Sequence, residues 1–283
     1  MFDSISQAVF YYAEKQPDKL CIADDKSSVT YRQYAEKIKR YAGCLGEMGI
    51  KADDRVVIEA CQTIDYLAIA MALQIIGAVF VPVEHNCAPD KICSFADRTG
   101  ARAVISVKDA DYGGHACCTF AKLLEGSAPL SSWDFPKKDA VCEILFSTGT
   151  TGVEKGIMIS SANNIALAEN VMYGVRMEKD NVEMIPSPMN HSHGLRRYYA
   201  NMYNGSSVIL LSSVMNVKQF FENFEKYGVN SLDLVPAALS VLLRLTKNKL
   251  ADYKDVIRYI QLGSAPLMQA DKDLICELLP STR

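Results

Sequence analysis

Two kinds of hydrophobic pattern alternate along the chain. Apolar residues three and four positions apart, typical of amphipathic helices, predict helices at residues 4–16, 31–48, 63–76, 89–98, 161–174, 193–204, 216–227 and 237–247. Short runs of branched and aromatic residues, typical of strands, lie between them as SVTY, RVVIEA, AVFVPV, RAVISV, VCEILF, GIMIS, SVILL, SLDLV and IRYIQL. This alternation predicts an α/β fold with largely parallel sheets.

One stretch interrupts the alternation. Residues 125–139, EGSAPLSSWDFPKKD, are rich in serine and proline and contain few aliphatic side chains, which is typical of a connection. We therefore expect two sub-lobes, at approximately 1–130 and 140–283, joined by this linker. The 283 residues are enough to form either one large domain or two such lobes.

The segment Tyr66–Val83, YLAIAMALQIIGAVFVPV, is apolar enough to raise the alternative of a membrane span. Gln74 lies in its middle, however, and Gly77 interrupts it. The residues after Gly77 have the composition of a strand. The pattern therefore favours a buried helix followed by a buried strand, with no membrane span.

Charge and cysteine usage exclude several classes of protein. The 30 basic and 33 acidic residues give a net charge of −3 without a basic block, so a nucleic-acid partner is not expected. The N-terminus has no basic segment followed by an apolar core and does not resemble a signal peptide. The nine cysteines form no CxxC pair, and Cys117 and Cys118 are adjacent. This usage predicts reduced thiols and a cytoplasmic location.

The stretch LFSTGTTGVEKG, Leu145–Gly156, contains the strongest chemical signal. Glycines allow backbone N–H groups to approach an anion, hydroxyls add donors, and Lys155 adds a positive charge. The alternative is an ordinary turn made of residues that tolerate unusual backbone angles. A Walker loop is not predicted, because Lys155 is preceded by Glu154 and followed by Gly156.

This stretch resembles the signature loop of the adenylate-forming superfamily, which includes acyl- and aryl-CoA ligases, luciferases and peptide-synthetase adenylation domains. The family pattern is SGTTG, one variable residue, then Pro-Lys-Gly. Glu154 departs from it, and a carboxylate near a triphosphate is unfavourable. The resemblance implies that Lys155 supports the loop and supplies charge. It implies β- and γ-phosphate binding by Ser147, Thr148, Gly149, Thr150, Thr151 and Gly152.

Further blocks resemble the family in the same order. SVTYRQYAEKIKRYAGCLGEMGIKADDRVVI and ALQIIGAVFVPVEHNCAPDKI are similar to its opening blocks. PSPMNHSHGL resembles the segment in which a histidine lies beside the carboxylate to be activated, which by position is His191. The alternative for His191 is a solvent-exposed histidine at the start of a helix. His191 and His193, two positions apart with no third ligand nearby, do not predict a metal site.

QLGSAPL, Gln261–Leu267, resembles the loop whose backbone packs on the adenine ring. The matching residues are Gly263, Ser264, Ala265 and Pro266. Small residues suit this role, because a flat ring needs close approach of the backbone. The alternative is a turn between a strand and a helix.

The resemblance implies an acid–thiol ligase that uses ATP and Mg²⁺. A carboxylic acid would become an acyl-adenylate with release of pyrophosphate, and CoA, or alternatively a carrier protein, would then accept the acyl group. The alternatives are a peptide-synthetase-type adenylation domain, a catalytically silent nucleotide- or acyl-binding module, and a non-enzymatic interaction domain that keeps the fold.

The resemblance also implies that the chain is the N-terminal part of such an enzyme. The family's Tyr-Gly-x-Thr-Glu block, its ribose-binding Asp and its C-terminal domain with a catalytic Lys are not among the 283 residues. We therefore expect an incomplete magnesium site and little activity from this chain alone.

The pair Arg196 and Arg197 is unusual, because the helix after this histidine is usually apolar in the family. One interpretation is a solvated helix face. The other is recognition of an acidic or polar carboxylic acid.

Overall fold

Helices and strands alternate in the computed structural model, which describes residues 2–123, 128–147 and 154–283. The helices are α1 Ile5–Lys15, α2 Tyr31–Glu47, α3 Ile64–Ile76, α4 Pro89–Thr99, α5 Phe120–Leu123, α6 Ser161–Val175, α7 Ser192–Asn204, α8 Val217–Tyr227, α9 Pro236–Thr246 and α10 Gln269–Leu278. The strands are β1 Leu20–Ala23, β2 Ser28–Thr30, β3 Arg55–Glu59, β4 Val79–Val83, β5 Ala103–Ser106, β6 Ala116–Thr119, β7 Val141–Ser147, β8 Lys155–Ser160, β9 Val182–Ile185, β10 Ser207–Leu210, β11 Ser231–Leu234 and β12 Tyr259–Leu262.

The strands form two six-stranded sheets. The first sheet has the order β12-β11-β9-β10-β1-β2, and the second has the order β6-β5-β3-β4-β7-β8. Pairing is parallel except at one edge of each sheet, where β2 and β8 run antiparallel to their neighbours. The predicted α/β fold of two interleaved lobes with largely parallel sheets is confirmed.

Each sheet contains strands from both sides of the predicted linker at residues 125–139. Strands β1 and β2 pair in the first sheet beside β10, whereas β7 and β8 complete the second sheet beside β4. The boundary predicted from composition therefore does not coincide with the division of the chain into two sheets.

Alternate residues of the strands face different helical layers. Val56 and Ile58 of β3 belong to the central core, whereas Val57 faces α4. In the first sheet, Val208 of β10 faces the same central core and Ile209 faces α8 and α9. Because strand side chains alternate between faces, the two sheets enclose a layer made of α1, α2, α3, α6 and α7.

The apolar segment Tyr66–Val83 is a buried helix followed by a buried strand, as predicted. Helix α3 is 13 residues long and ends at Gly77, which adopts a left-handed conformation with φ of 83°. All five residues of β4 are buried. In the part of the chain that the structure describes, no helix has the length and apolar character needed to cross a membrane.

Candidate functional site

The predicted phosphate loop connects the two strands of a hairpin. Strands β7 and β8 pair antiparallel, and Ser147 lies directly opposite Lys155 where the described part of the hairpin ends. Lys155 is exposed at this position. The remaining predicted phosphate ligands lie outside the described residues: Thr148, Gly149, Thr150, Thr151 and Gly152.

Helix α4 holds the base of this hairpin through Glu154. The Nζ atom of Lys91 lies 3.3 Å from Oε1 of Glu154 and 2.8 Å from Oε1 of Glu84. The guanidinium of Arg98 donates a hydrogen bond to the carbonyl oxygen of Glu154 and lies 4.9 Å from the ring centre of Phe146. Lys91 therefore offsets part of the negative charge of Glu154, since it pairs with Glu84 as well.

His191 lies immediately before α7 and is exposed. Its Nε2 atom is 3.3 Å from the side-chain nitrogen of Asn190. His191, Phe146 and Glu154 line a small cleft of about 70 Å³ between the start of α7 and the hairpin. The structure thus places His191 beside the base of the predicted phosphate loop, while its predicted contact with a carboxylate stays a prediction.

The predicted adenine loop follows β12 and contacts α7. A Cβ atom on Gly263 would lie 2.8 Å from Cε1 of His193, so a larger residue would collide with the histidine ring. Ser264 adopts a φ of 72°, in the left-handed region, and Ser264, Ala265 and Pro266 are exposed. The backbone and small side chains of this loop are therefore open to solvent, as close packing on a flat ring would require. The assignment of the loop to adenine binding stays a prediction.

His193 was not predicted as a site residue, yet it connects the Gly263 loop to the first sheet. Its Nε2 atom is 2.9 Å from Oδ1 of the buried Asp233, and its Nδ1 atom is 3.3 Å from the hydroxyl of Ser264. The hydroxyl of Ser187 donates to the other oxygen of Asp233 at 2.8 Å. A carboxylate partner favours a proton on Nε2, which leaves Nδ1 as an acceptor facing the loop.

Arg197 forms a buried ion pair with Glu183. Its Nε atom is 2.9 Å from Oε1 of Glu183 and 3.8 Å from Oδ1 of Asp233, and its Nη2 atom donates to the hydroxyl of Tyr259 at 3.2 Å. The side-chain amide of Asn201 donates to the second oxygen of Glu183. The interpretation of this arginine pair as a solvated helix face is therefore wrong for Arg197, which is buried.

Arg196 is only partly buried, and it lines, together with Arg197, a cavity of about 560 Å³ between α6, α7 and β12. Leu167 and Val171 of α6 contribute apolar surface to the wall. Asn170 and Gln261 contribute amide groups. The cavity has the volume of an ordinary small-molecule site.

A separate group of side chains meets between α4 and the start of β6. Potential ligand atoms of Cys93, Asp97 and His115 lie within 4.8 Å of one another. The Nε2 atom of His115 is 2.8 Å from Oδ1 of Asp97. Three such ligands and a water could complete a zinc site, but the hydrogen bond already pairs two of the groups, and we assign no metal here.

Comparison with known proteins identifies the family and related enzymes. The profile of the family described as AMP-binding enzyme matches residues 9–280. The 2-succinylbenzoate–CoA ligase of Bacillus cereus is 22% identical over 268 residues, covering 94% of this chain and 55% of that protein. The D-alanine–D-alanyl carrier protein ligase of Lacticaseibacillus rhamnosus is also 22% identical, covering 100% of this chain and 57% of that protein. The chain thus spans about half the length of these relatives.

Solved structures show the same fold. The N-terminal subdomain of Klebsiella oxytoca NpsA, in complex with 3-hydroxybenzoyl-AMSN, matches with a TM-score of 0.86 at 16% identity. The match covers 98% of this chain and 70% of that chain. At this identity the similarity concerns the fold alone.

Proposed function

Because this chain belongs to the family of AMP-binding enzymes, we propose that it forms the nucleotide- and acid-binding part of a ligase that activates a carboxylic acid with ATP. One observation supports this most directly. The N-terminus of α7 joins the two parts of the predicted site, since His191 lines the cleft at the hairpin and His193 contacts the Gly263 loop. A nucleotide with its phosphates at Lys155 and its base at Gly263 would extend past this N-terminus.

The proposed first step joins an oxygen of the carboxylate to the α-phosphorus of ATP, and pyrophosphate leaves. Ser147 and Lys155 would hold the phosphates together with the loop between them. His191 would orient the carboxylate. Positioning and charge neutralisation contribute most of the rate enhancement in such a transfer. Magnesium, when bound, would neutralise further phosphate charge, and we assign it no ligand among the described residues.

In the proposed second step, the thiol of CoA attacks the acyl carbon, and AMP leaves. The relatives support a thiol acceptor, because their names specify CoA in one case and a carrier protein in the other. A carrier protein, as in a peptide-synthetase-type adenylation domain, is the alternative acceptor. We propose a cytoplasmic location, which agrees with nine free thiols.

The nucleotide site is tested by calorimetric titration of ATP and magnesium into the wild-type chain and Lys155→Ala. We expect binding to weaken by about tenfold, because a charge-assisted contact with phosphate is lost. Lys218→Ala is the matched control, since Lys218 is exposed on α8 and lines no part of this site. Equal ATP affinity of Lys155→Ala and wild type would show that the hairpin binds no phosphate.

Isotope exchange between pyrophosphate and ATP then separates the ligase from the alternative of a silent binding module. Carboxylate-dependent exchange requires the adenylation step, whereas a binding module gives ATP affinity without exchange. The assay is made with this chain and with the longest natural polypeptide that contains it. ATP binding without exchange in either protein would favour the silent module.

A further inference from the structure

We propose that the cavity between α6 and α7 selects a carboxylic acid that carries a second carboxylate, and that Arg196 binds this second group. The inference rests on the proposed function, because it names the class of acid that the same site would activate. Four properties support it, namely the unpaired charge of Arg196, its contrast with Arg197, the lining of the cavity and the position of the cavity beside the Gly263 loop.

Arg196 has no acidic partner within 4.0 Å among residues 2–123, 128–147 and 154–283. Its described contact is a long one of 3.5 Å from Nη2 to Nδ1 of His193. The side chain is nevertheless partly buried. A guanidinium carries five donors in a fork that matches a carboxylate, so most of its hydrogen-bonding capacity is available to a ligand.

The neighbouring Arg197 shows how this fold treats an arginine with a structural role. Arg197 is buried and has both Glu183 and Asp233 within ion-pair distance. Arg196 is adjacent in sequence and lines the same cavity, but among the described residues no carboxylate lies within ion-pair distance of it. The carboxylates of Glu183 and Asp233 already pair with Arg197 and His193.

The lining of the cavity suits an acid with an apolar body and a polar end. Leu167, Val171 and Val175 provide apolar contact from α6. Gln261 uses its side-chain nitrogen to donate to the carbonyl of Leu262 at 3.0 Å, which fixes its amide at the wall. Pockets of this kind combine apolar surface with a few placed polar groups. Here these groups include two arginines, of which Arg197 is already ion-paired.

The cavity adjoins the proposed nucleotide site. Gln261 lies two residues before Gly263, and the Nη2 atom of Arg196 would be 3.9 Å from a Cβ atom on Gly263. An acid whose reacting carboxylate lies near α7 and this loop can therefore place its remaining atoms in the cavity beside Arg196.

The test uses stable acyl-sulfamoyl-adenosine compounds, which carry the adenosine and differ only in the acyl group. Succinyl and adipoyl compounds have a terminal carboxylate. Their controls, 4-methylpentanoyl and 6-methylheptanoyl, replace it by an isopropyl group of similar shape. Calorimetric titration into the full chain should give about tenfold to a hundredfold tighter binding of the carboxylate compound in at least one pair, as expected for charge-assisted hydrogen bonds.

Three variants make the result specific. Arg196→Met should remove the preference by weakening the carboxylate compound while the isopropyl compound binds as before. Arg196→Lys should retain part of the preference, because it keeps the charge without the fork. Arg244→Met, on the outer helix α9 and exposed, is the control and should change neither affinity.

Three outcomes would overturn the inference. The inference fails if wild type binds the carboxylate and isopropyl compounds of both pairs with equal affinity. It also fails if Arg196→Met keeps the preference for the carboxylate compound, because Arg196 then does not bind the second carboxylate. Equal weakening of both compounds by Arg196→Met would indicate a structural role instead. Failure of all four compounds to bind would overturn the proposed function as well, whereas equal binding within pairs overturns this inference alone.

Discussion

Helix α7 contacts one buried carboxylate on each sheet. The two carboxylates have different partners on the helix. On the first sheet, Glu183 of β9 binds the guanidinium of Arg197. On the second sheet, Glu143 of β7 accepts a hydrogen bond of 2.7 Å from the hydroxyl of Tyr199, and the described residues offer it no cation. One contact is therefore ionic, while the other is between an acid and a neutral hydroxyl.

Burial raises the pKa of both carboxylates, but at Glu183 the charge of Arg197 opposes the rise. Burial raises the pKa of Glu143 to about 7, because desolvation disfavours the charged carboxylate. The strand that carries Glu143 leads directly into the predicted phosphate loop. Helix α7 is thus bound to the first sheet by an ion pair, and to the hairpin side by a carboxyl group whose pKa lies near neutrality.

The largest effect is expected from breaking the ionic contact. Arg197→Ala would leave Glu183 and Asp233 buried without their cation, and removing one partner of a buried ion pair costs about 3–5 kcal/mol. Equilibrium unfolding in urea at pH 7 measures the loss. Arg244→Ala, an exposed arginine on α9, is the control and should cost less than about 1 kcal/mol. A similarly small loss for Arg197→Ala would show that the ionic contact contributes little to α7.

Glu143→Gln should produce the next largest effect, and the effect should depend on pH. A carboxyl whose pKa is raised in the folded state stabilises the protein at low pH, and that contribution is lost as pH rises from about 4.5 to about 7. Relative to Glu143→Gln, wild type should therefore lose roughly 3 kcal/mol across this window. The measurement is urea unfolding of both proteins at several values between pH 4 and pH 8. A difference that stays constant over this range would contradict the raised pKa.

Local patterns predicted the regular elements well where the signal was contained in one segment. Helix α2 begins with a capping box in which Thr30 and Gln33 bond reciprocally, and its apolar spacing predicted a helix over 31–48. Strand β1 was not predicted; it has four residues, and one of its two partners, β10, is far away in sequence. A short strand in the interior of a sheet is stabilised by partners that a local pattern does not contain.

The absence of distant partners from a local pattern also explains which site residues could be predicted from the sequence. The hairpin of Ser147 and Lys155 follows from a contiguous motif, whereas His193 acquires its role from Asp233, which is 40 positions away. A usable signal was nevertheless present in the strands. Glu143, Glu183 and Asp233 are single acidic residues within otherwise largely apolar runs, and all three prove to be buried and bound to α7. An isolated charge in a buried strand therefore predicts a distant partner without identifying it.

Tyr199→Phe should have the smallest effect on the free energy of unfolding. It tests most directly whether the contact between α7 and Glu143 depends on the charge of the carboxyl group. The hydroxyl of Tyr199 donates to Glu143, so removing it costs about 1 kcal/mol while Glu143 is protonated. Above pH 7 the carboxylate is charged, and hydrogen bonds to charged groups contribute about 1.5–3 kcal/mol, so the cost at pH 8 should be about twice the cost at pH 5. Because the hydroxyl favours the ionised form, its loss should also raise the pKa of Glu143 further and extend the upper end of the window of lost stability to higher pH. Urea unfolding of Tyr199→Phe in the wild-type and Glu143→Gln backgrounds, at pH 5 and pH 8, measures both effects. In the Glu143→Gln background the cost should be the same at the two values. An equal cost in the wild-type background would show that Tyr199 does not bind the ionised carboxylate, and the pH sensitivity of this contact would then come from burial of Glu143 alone.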